Sequence, residues 1–181
     1  MSDINEKISS MLLKSYYEYY KKKCLDGIGC TVGLEDENNY YNWNCVIQGP
    51  NDSPYRKGIF QLKMIFPKDF PVKGPEVIFL TPIFHLNVNP VKTKEQKLGH
   101  CCLSVLNLWN PDCTIEDILV EIFALFYKQN IESPYLGYGA KNISDYKNNR
   151  EEFKKKVKFF TQKYANAKYK IEDMDKWDFD M

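Results

Sequence analysis

Six cysteines and two histidines are the side chains of this 181-residue chain best suited to covalent chemistry. The cysteines stand at 24, 30, 45, 101, 102 and 113, and the histidines at 85 and 100. A thiol reacts as its thiolate, both as nucleophile and as metal ligand. Zinc sites ask for Cys and His pairs at regular short spacing. The nearest approach here is His100 beside Cys101-Cys102, so no metal is expected. Disulfide frameworks belong to small secreted proteins, and residues 1–10 offer no basic segment followed by an apolar leader core. Free thiols are therefore expected, one of them chemically used. Neighbours in an extended segment point to opposite faces, so the Cys101-Cys102 pair sends one thiol outward and one inward.

Both histidines and the Cys101-Cys102 pair lie between Thr81 and Asp112, a stretch with Cys113 at its end, without a visible period and punctuated by Pro82, Pro90, Gly99 and Pro111. Such a segment inside a compact domain is uncommon and usually functional, since loops carry reactive groups on a rigid scaffold. The scaffold is readable on both sides. Ile4, Ile8, Met11, Leu12, Tyr16 and Tyr19 have helical spacing from Asp3 to about Lys23, with Asp3 and Glu6 placed as a capping box and Gly27 and Gly29 as the stop. From residue 30 to 80 the period becomes two. Residues 41–45 alternate, Phe60, Leu62, Met64 and Phe66 share a strand face, and residues 76–80 form a third run, all separated by turn chemistry. After the loop, Thr114 and Asp117 cap a helix with Ile115, Ile118, Leu119, Ile122, Phe123 and Phe126, apolar round much of its surface and so expected at the centre. Ser133-Pro134 interrupts, and Asn149 to Tyr164 reads as a last amphipathic helix with Phe153, Val157, Phe160 and Tyr164 aligned. Helix, antiparallel meander, long loop and helices make an α+β order.

Composition limits the partners. At 44% hydrophobic and 15% aromatic the chain buries a core and is no disordered segment. No apolar run approaches the roughly 20 residues that span a bilayer, and a net charge of +1 argues against neutralising nucleic-acid phosphates. The charge is uneven: residues 171–181 hold five acids and one lysine, against twenty-four basic and nineteen acidic residues before them. A mildly basic body thus carries an acidic tail, whose Trp177 and Phe179 are free to pack back on the body or to meet a partner. Lys21 to Lys23 suit a helix C-terminus, and Lys154 to Lys156 are expected on an exposed helix face. A monomer in the cytosol or nucleus is the expectation.

In order along the chain, Trp43, Gly49-Pro50-Asn51-Asp52-Ser53-Pro54-Tyr55 with Gly58 and Phe60, Phe66-Pro67-Lys68-Asp69-Phe70-Pro71 with Pro75, His85-Leu86-Asn87, residues 99–106, Trp109, Pro111 and Thr161-Gln162-Lys163-Tyr164-Ala165 resemble the ubiquitin-conjugating enzyme family. The resemblance runs from about Ile4 to Ala165. It implies a conjugating domain over residues 1–165, followed by a short acidic tail, 166–181. The fold it implies has an N-terminal helix, a four-stranded antiparallel sheet, a long active-site loop and C-terminal helices. No organic cofactor is implied. The partners implied are ubiquitin or a ubiquitin-like modifier, a ubiquitin-activating enzyme and a ubiquitin ligase.

The resemblance also implies roles. Cys102 matches the active cysteine, which receives the modifier's carboxy-terminal glycine as a thioester, a task suited to a thiol that both attacks and leaves. Cys101 then takes the buried place as a small hydrophobe. Asn87 matches the asparagine that stabilises the oxyanion, directly or by ordering the loop, and His85 braces that loop. Ligase contact falls on the first helix, on the loop with Pro71 and Val72, and on the loop with Pro111 and Asp112.

The departures are as informative. Leu86 replaces a proline, and the stretch from Asn87 to Cys102 is longer than usual, so Asn87 keeps its place only if the insertion loops outward. Ser104 and Ser133 stand where relatives often carry acids that orient or deprotonate the acceptor lysine. A hydroxyl orients an amine but accepts its proton poorly near neutral pH, which favours slow discharge onto free lysine and reliance on a ligase thiol. Val72 replaces a common Phe and Asp112 a common Ala, which alters ligase choice. Two rivals remain: a non-catalytic module of the same fold that holds ubiquitin or a partner conjugating enzyme, and a hydrolase with a Cys102–His100 dyad.

Overall fold

The computed structural model describes residues 2–23, 28–95, 97–132, 134–135, 139–166 and 177, and the side chains of all of these except 2, 3, 139 and 140. Its elements run α1 (Ser2–Lys22), β1 (Cys30–Asp36), β2 (Asn39–Gln48), β3 (Ile59–Ile65), β4 (Glu76–Phe79), α2 (Ser104–Asn107), α3 (Ile115–Leu125), α4 (Gly139–Asn148) and α5 (Arg150–Tyr164). The strands form one antiparallel sheet in the order β1-β2-β3-β4. The period-two pattern fixes its register: Trp43 faces Met64, Cys45 faces Leu62 and Ile47 faces Phe60, and all six are buried. A slip of one residue would turn that whole set to solvent.

α1 meets this sheet through Leu13, Tyr17 and Tyr20, with the Tyr17 ring edge-on to Trp43 at 5.6 Å. The apolar positions picked out by spacing point the other way: Ile4 is 63% and Met11 73% exposed. The helix is set by where tyrosines fit around Trp43, so its seam lies beside the aliphatic stripe. It also begins at Ser2, which puts Asp3 within the first turn, and the Glu6 carboxylate pairs with Lys68 instead of closing a capping box.

α3 carries the expected capping box. Thr114 Oγ1 accepts the Asp117 N–H at 3.1 Å, and Asp117 Oδ2 accepts the Thr114 N–H at 2.8 Å. Its Ile115, Ile118, Leu119 and Ile122 are buried, while Val120 stays exposed. Asn149 caps α5, whose Phe153, Val157, Phe160 and Tyr164 are buried as spaced. Lys156 departs from the exposed face expected of it, since its ammonium is 3.2 Å from the Asp145 carboxylate and ties α5 to α4.

The first part of the stretch without a period is closely covered, every residue from 81 to 90 being buried. It leads into a hairpin. The Asn89 N–H donates to His100 O and the Gly99 N–H to Asn89 O, both at 2.8 Å, and the Cys102 N–H donates to Asn87 O at 3.0 Å. The returning arm lies along β4, with Cys101 N–H on Val77 O at 2.9 Å and Phe79 N–H on Gly99 O at 2.8 Å. At this crossing φ of Gly99 is +77°, and a Cβ there would stand 2.0 Å from Phe79 O, so only glycine fits. Trp177 is buried against the same hairpin with its N–H on Pro90 O at 3.0 Å. Phe179 lies outside the described residues, as does Cys24.

Candidate active site

The hairpin places Asn87 and Cys102 as direct main-chain partners. The insertion between them forms the far end of the hairpin. Lys97 there pairs with Glu76, and Asn89 Nδ2 donates to Lys97 O at 2.9 Å. The adjacent thiols separate as their alternation demands: Cys101 is 1% exposed and burial pushes its pKa up, whereas Cys102 is half-buried. The Asn107 Nδ2 amide donates to Cys102 Sγ at 3.6 Å.

Beside the thiol, residues 85–87 are laced to the segment that follows α3. His85 Nδ1 accepts the Asn87 N–H at 3.0 Å, so the ring proton sits on Nε2 and donates to Leu125 O at 3.0 Å. Burial pushes the His85 pKa down to about 4, and the ring is neutral. The Leu86 N–H, a donor that a proline would lack, goes to Gln129 Oε1 at 2.8 Å. Gln129 Nε2 in turn donates to the Tyr55 hydroxyl, and that hydroxyl donates to Phe84 O, both at 2.9 Å. Leu86 is thus accommodated by a buried amide that supplies the acceptor. Asn87, 1% exposed, clamps one residue with both ends of its amide: Nδ2 donates to Asn130 O at 2.7 Å, and Oδ1 accepts the Asn130 N–H at 2.8 Å.

Ser104 is exposed at the start of α2, two residues past the thiol, with its N–H on Glu121 Oε1 at 2.6 Å. Ser133 lies outside the described residues. His100 Nδ1 lies 2.6 Å from the Tyr135 hydroxyl, so that nitrogen is engaged by the tyrosine. Among the described residues no group of three or more His, Cys, Asp or Glu is placed to hold a metal ion. Sequence reasoning missed Asn107, Glu121, Gln129 and Asn130. Glu121 leaves a trace, an acid inside the apolar run of α3, while the amides look like ordinary polar residues.

A second surface gathers Pro71, Val72, Pro111 and Asp112. Trp109 joins their loops, its Nε1 donating to Pro71 O at 2.8 Å and its ring passing so close to Gly74 that a Cβ there would approach it to 2.7 Å. α1 is tied to the same place by Ser9 Oγ, which donates to Phe70 O. Val72 is 68% and Leu108 78% exposed, and Pro111 and Asp112 are exposed beside them.

Residues 13–161 match the family model described as ubiquitin-conjugating enzyme. A probable ubiquitin-conjugating enzyme E2 31 of Arabidopsis thaliana is 32% identical over 164 residues, spanning 90% of this chain and 97% of that one. Ubiquitin-conjugating enzyme E2 N of Drosophila melanogaster is 36% identical over 134 residues, spanning 73% of this chain and 82% of its own. A crystal structure from Plasmodium yoelii, assigned as a ubiquitin conjugating enzyme, superposes with a TM-score of 0.73 at 26% identity, over 88% of this chain and 96% of that one.

Proposed function

We infer the chemistry of this chain from the family to which it belongs, the ubiquitin-conjugating enzymes: Cys102 accepts ubiquitin or a ubiquitin-like modifier from an activating enzyme as a thioester and passes it to a substrate lysine or a ligase cysteine. One observation carries the assignment. Of two adjacent thiols, Cys102 is the accessible one, paired through its main chain with Asn87.

In charging, the Cys102 thiolate attacks the carbonyl carbon of the incoming thioester, and the activating enzyme's sulfur leaves with the electron pair of the broken bond. In discharge, the acceptor nitrogen or sulfur attacks the same carbon and Cys102 leaves. The two hydrogen bonds between the Asn87 amide and the Asn130 main chain support loop ordering as its role, and the neutral, doubly engaged His85 supports bracing. Ser104 orients an approaching amine without taking its proton, so transfer to a thiol outpaces transfer to free lysine. Pro71, Val72, Pro111 and Asp112 with α1 form the ligase-binding surface.

The test is incubation with activating enzyme, ATP and a panel of modifiers, followed by mass mapping. A thiol-sensitive adduct on Cys102 is expected, replaced in Cys102→Ser by a stable oxyester or by nothing. An undiminished thioester in that variant would sink the assignment. Binding without an adduct would point to a non-catalytic module.

A further inference from the structure

We propose that Asn107 is a further catalytic residue, its side-chain amide donating to the Cys102 sulfur as that sulfur gains negative charge, and that Glu121 is the positioning residue that aims it. The inference rests on the thioester chemistry assigned to Cys102 above.

Asn107 Nδ2 stands 3.6 Å from Cys102 Sγ, within the reach of an N–H···S bond. It ends α2, a single turn that begins two residues after the thiol. So short a turn does not hold itself, because nucleation fixes several residues for one hydrogen bond. Its first N–H groups have no partner within the turn, and the cap position is Leu103, which has no side-chain acceptor. Glu121 supplies both acceptors from α3: Oε1 takes the Ser104 N–H at 2.6 Å and Oε2 the Val105 N–H at 2.8 Å. Bonds to a carboxylate are roughly twice as strong as neutral ones. The turn then closes through the Asn107 N–H on Leu103 O at 3.1 Å and the Leu108 N–H on Ser104 O at 3.0 Å. A carboxylate on a well-packed helix thereby fixes the direction in which Asn107 points. The Asn87 amide bonds the Asn130 main chain with both of its ends, whereas the Asn107 amide reaches the sulfur.

Charge on Sγ changes in each step. In charging, the thiolate pair forms the new carbon–sulfur bond, and the activating enzyme's sulfur departs with its own pair. In discharge onto an amine, nitrogen forms a bond to the carbonyl carbon, the carbon–Sγ bond breaks, the pair returns to Sγ, and the amine proton passes to water. A thioester sulfur is a poor acceptor, whereas a thiolate is a good one, so the Asn107 bond strengthens as the leaving group develops. That is the condition for an interaction to accelerate a step.

Two readouts test it. In the uncharged protein, alkylation of Cys102 by iodoacetamide at pH 7, located by mass mapping, is expected to be about threefold to tenfold slower in Asn107→Ala, slower again in Asn107→Asp, and faster than in Asn107→Ala in Asn107→Lys, following the charge placed by the sulfur. In single-turnover discharge of the preformed adduct to free cysteine, Asn107→Ala is expected to lose about tenfold. Glu121→Ala should lose a similar factor, Glu121→Gln less, and the Glu121→Ala/Asn107→Ala pair no more than Asn107→Ala alone. Alkylation that ignores the sign of the substituted charge, or additive losses in the double variant, would overturn the proposal. Because alkylation needs no modifier, failure of the unmodified protein to form a thioester would overturn the reading of Cys102 instead, and the two failures are distinct.

Discussion

His85 carries a cost that solution measurements can read. Its ring is buried and neutral between the Asn87 N–H and Leu125 O, with its pKa pushed down to about 4. An unfolded histidine titrates near 6.5. Between those values the unfolded chain binds a proton that the folded protein refuses, so this residue's contribution is complete above about pH 6.5 and is lost as pH falls toward about 4. The window is worth roughly 3 kcal/mol at 1.36 kcal/mol per pH unit. Urea unfolding at pH 7 and pH 4.5 should show a clear fall in stability, and His85→Gln should be less stable at pH 7 but show a smaller fall. An unchanged pH dependence in that variant would mean that other groups set the acid limit. Since His85 holds the Asn87 N–H, the same window should mark where the loop beside Cys102 loosens.

At the scale of elements, the hairpin from Asn87 to Cys102 accounts for both the longest unreadable stretch and the preserved pairing. Gly99 is its most constrained point. Gly99→Ala adds a Cβ at 2.0 Å from the Phe79 carbonyl oxygen in a backbone of φ +77°, so the returning arm must leave β4. A loss of at least about 2 kcal/mol is expected in denaturant unfolding, with slower charging because Cys102 lies three residues along the displaced arm. Stability within about 0.5 kcal/mol of the parent would contradict the crossing. Elements with one wet face were legible. β3 and α5 buried the residues their periods picked out, and the Thr114–Asp117 box starts α3 as spacing required. Residues 81–90 were not, because burial on every side leaves no alternation to read. The stripe of α1 misled, since Tyr17 and Tyr20 against Trp43, a tertiary fit, decide its inner face.

Across the whole molecule, the site divides along the same line. Motif surroundings marked Cys102, Asn87 and His85, whereas Asn107, Gln129 and Asn130 reach the loop only through folding and carry no local mark, and Glu121 shows only as an acid inside an apolar run. Trp177 extends this to the chain's end. It is 6% exposed, its N–H is on Pro90 O at 3.0 Å, and its ring comes within 3.3 Å of a Cβ built on Gly99. Burying an indole is worth roughly 4 kcal/mol as an upper figure. Closing the segment from Asn166 to Trp177 costs roughly 3 kcal/mol by chain-entropy scaling. The two nearly cancel, so Trp177 holds the hairpin locally while adding little to global stability. Trp177→Ala should therefore shift the unfolding free energy by no more than about 1 kcal/mol, yet raise amide hydrogen exchange across residues 88–99 well above that of β2 and β3. Deleting residues 167–181 should do the same, and high salt should not, because the Trp177 contact is an indole and a main-chain hydrogen bond, neither of them charged. Unchanged exchange in the hairpin would show that Trp177 does not brace it.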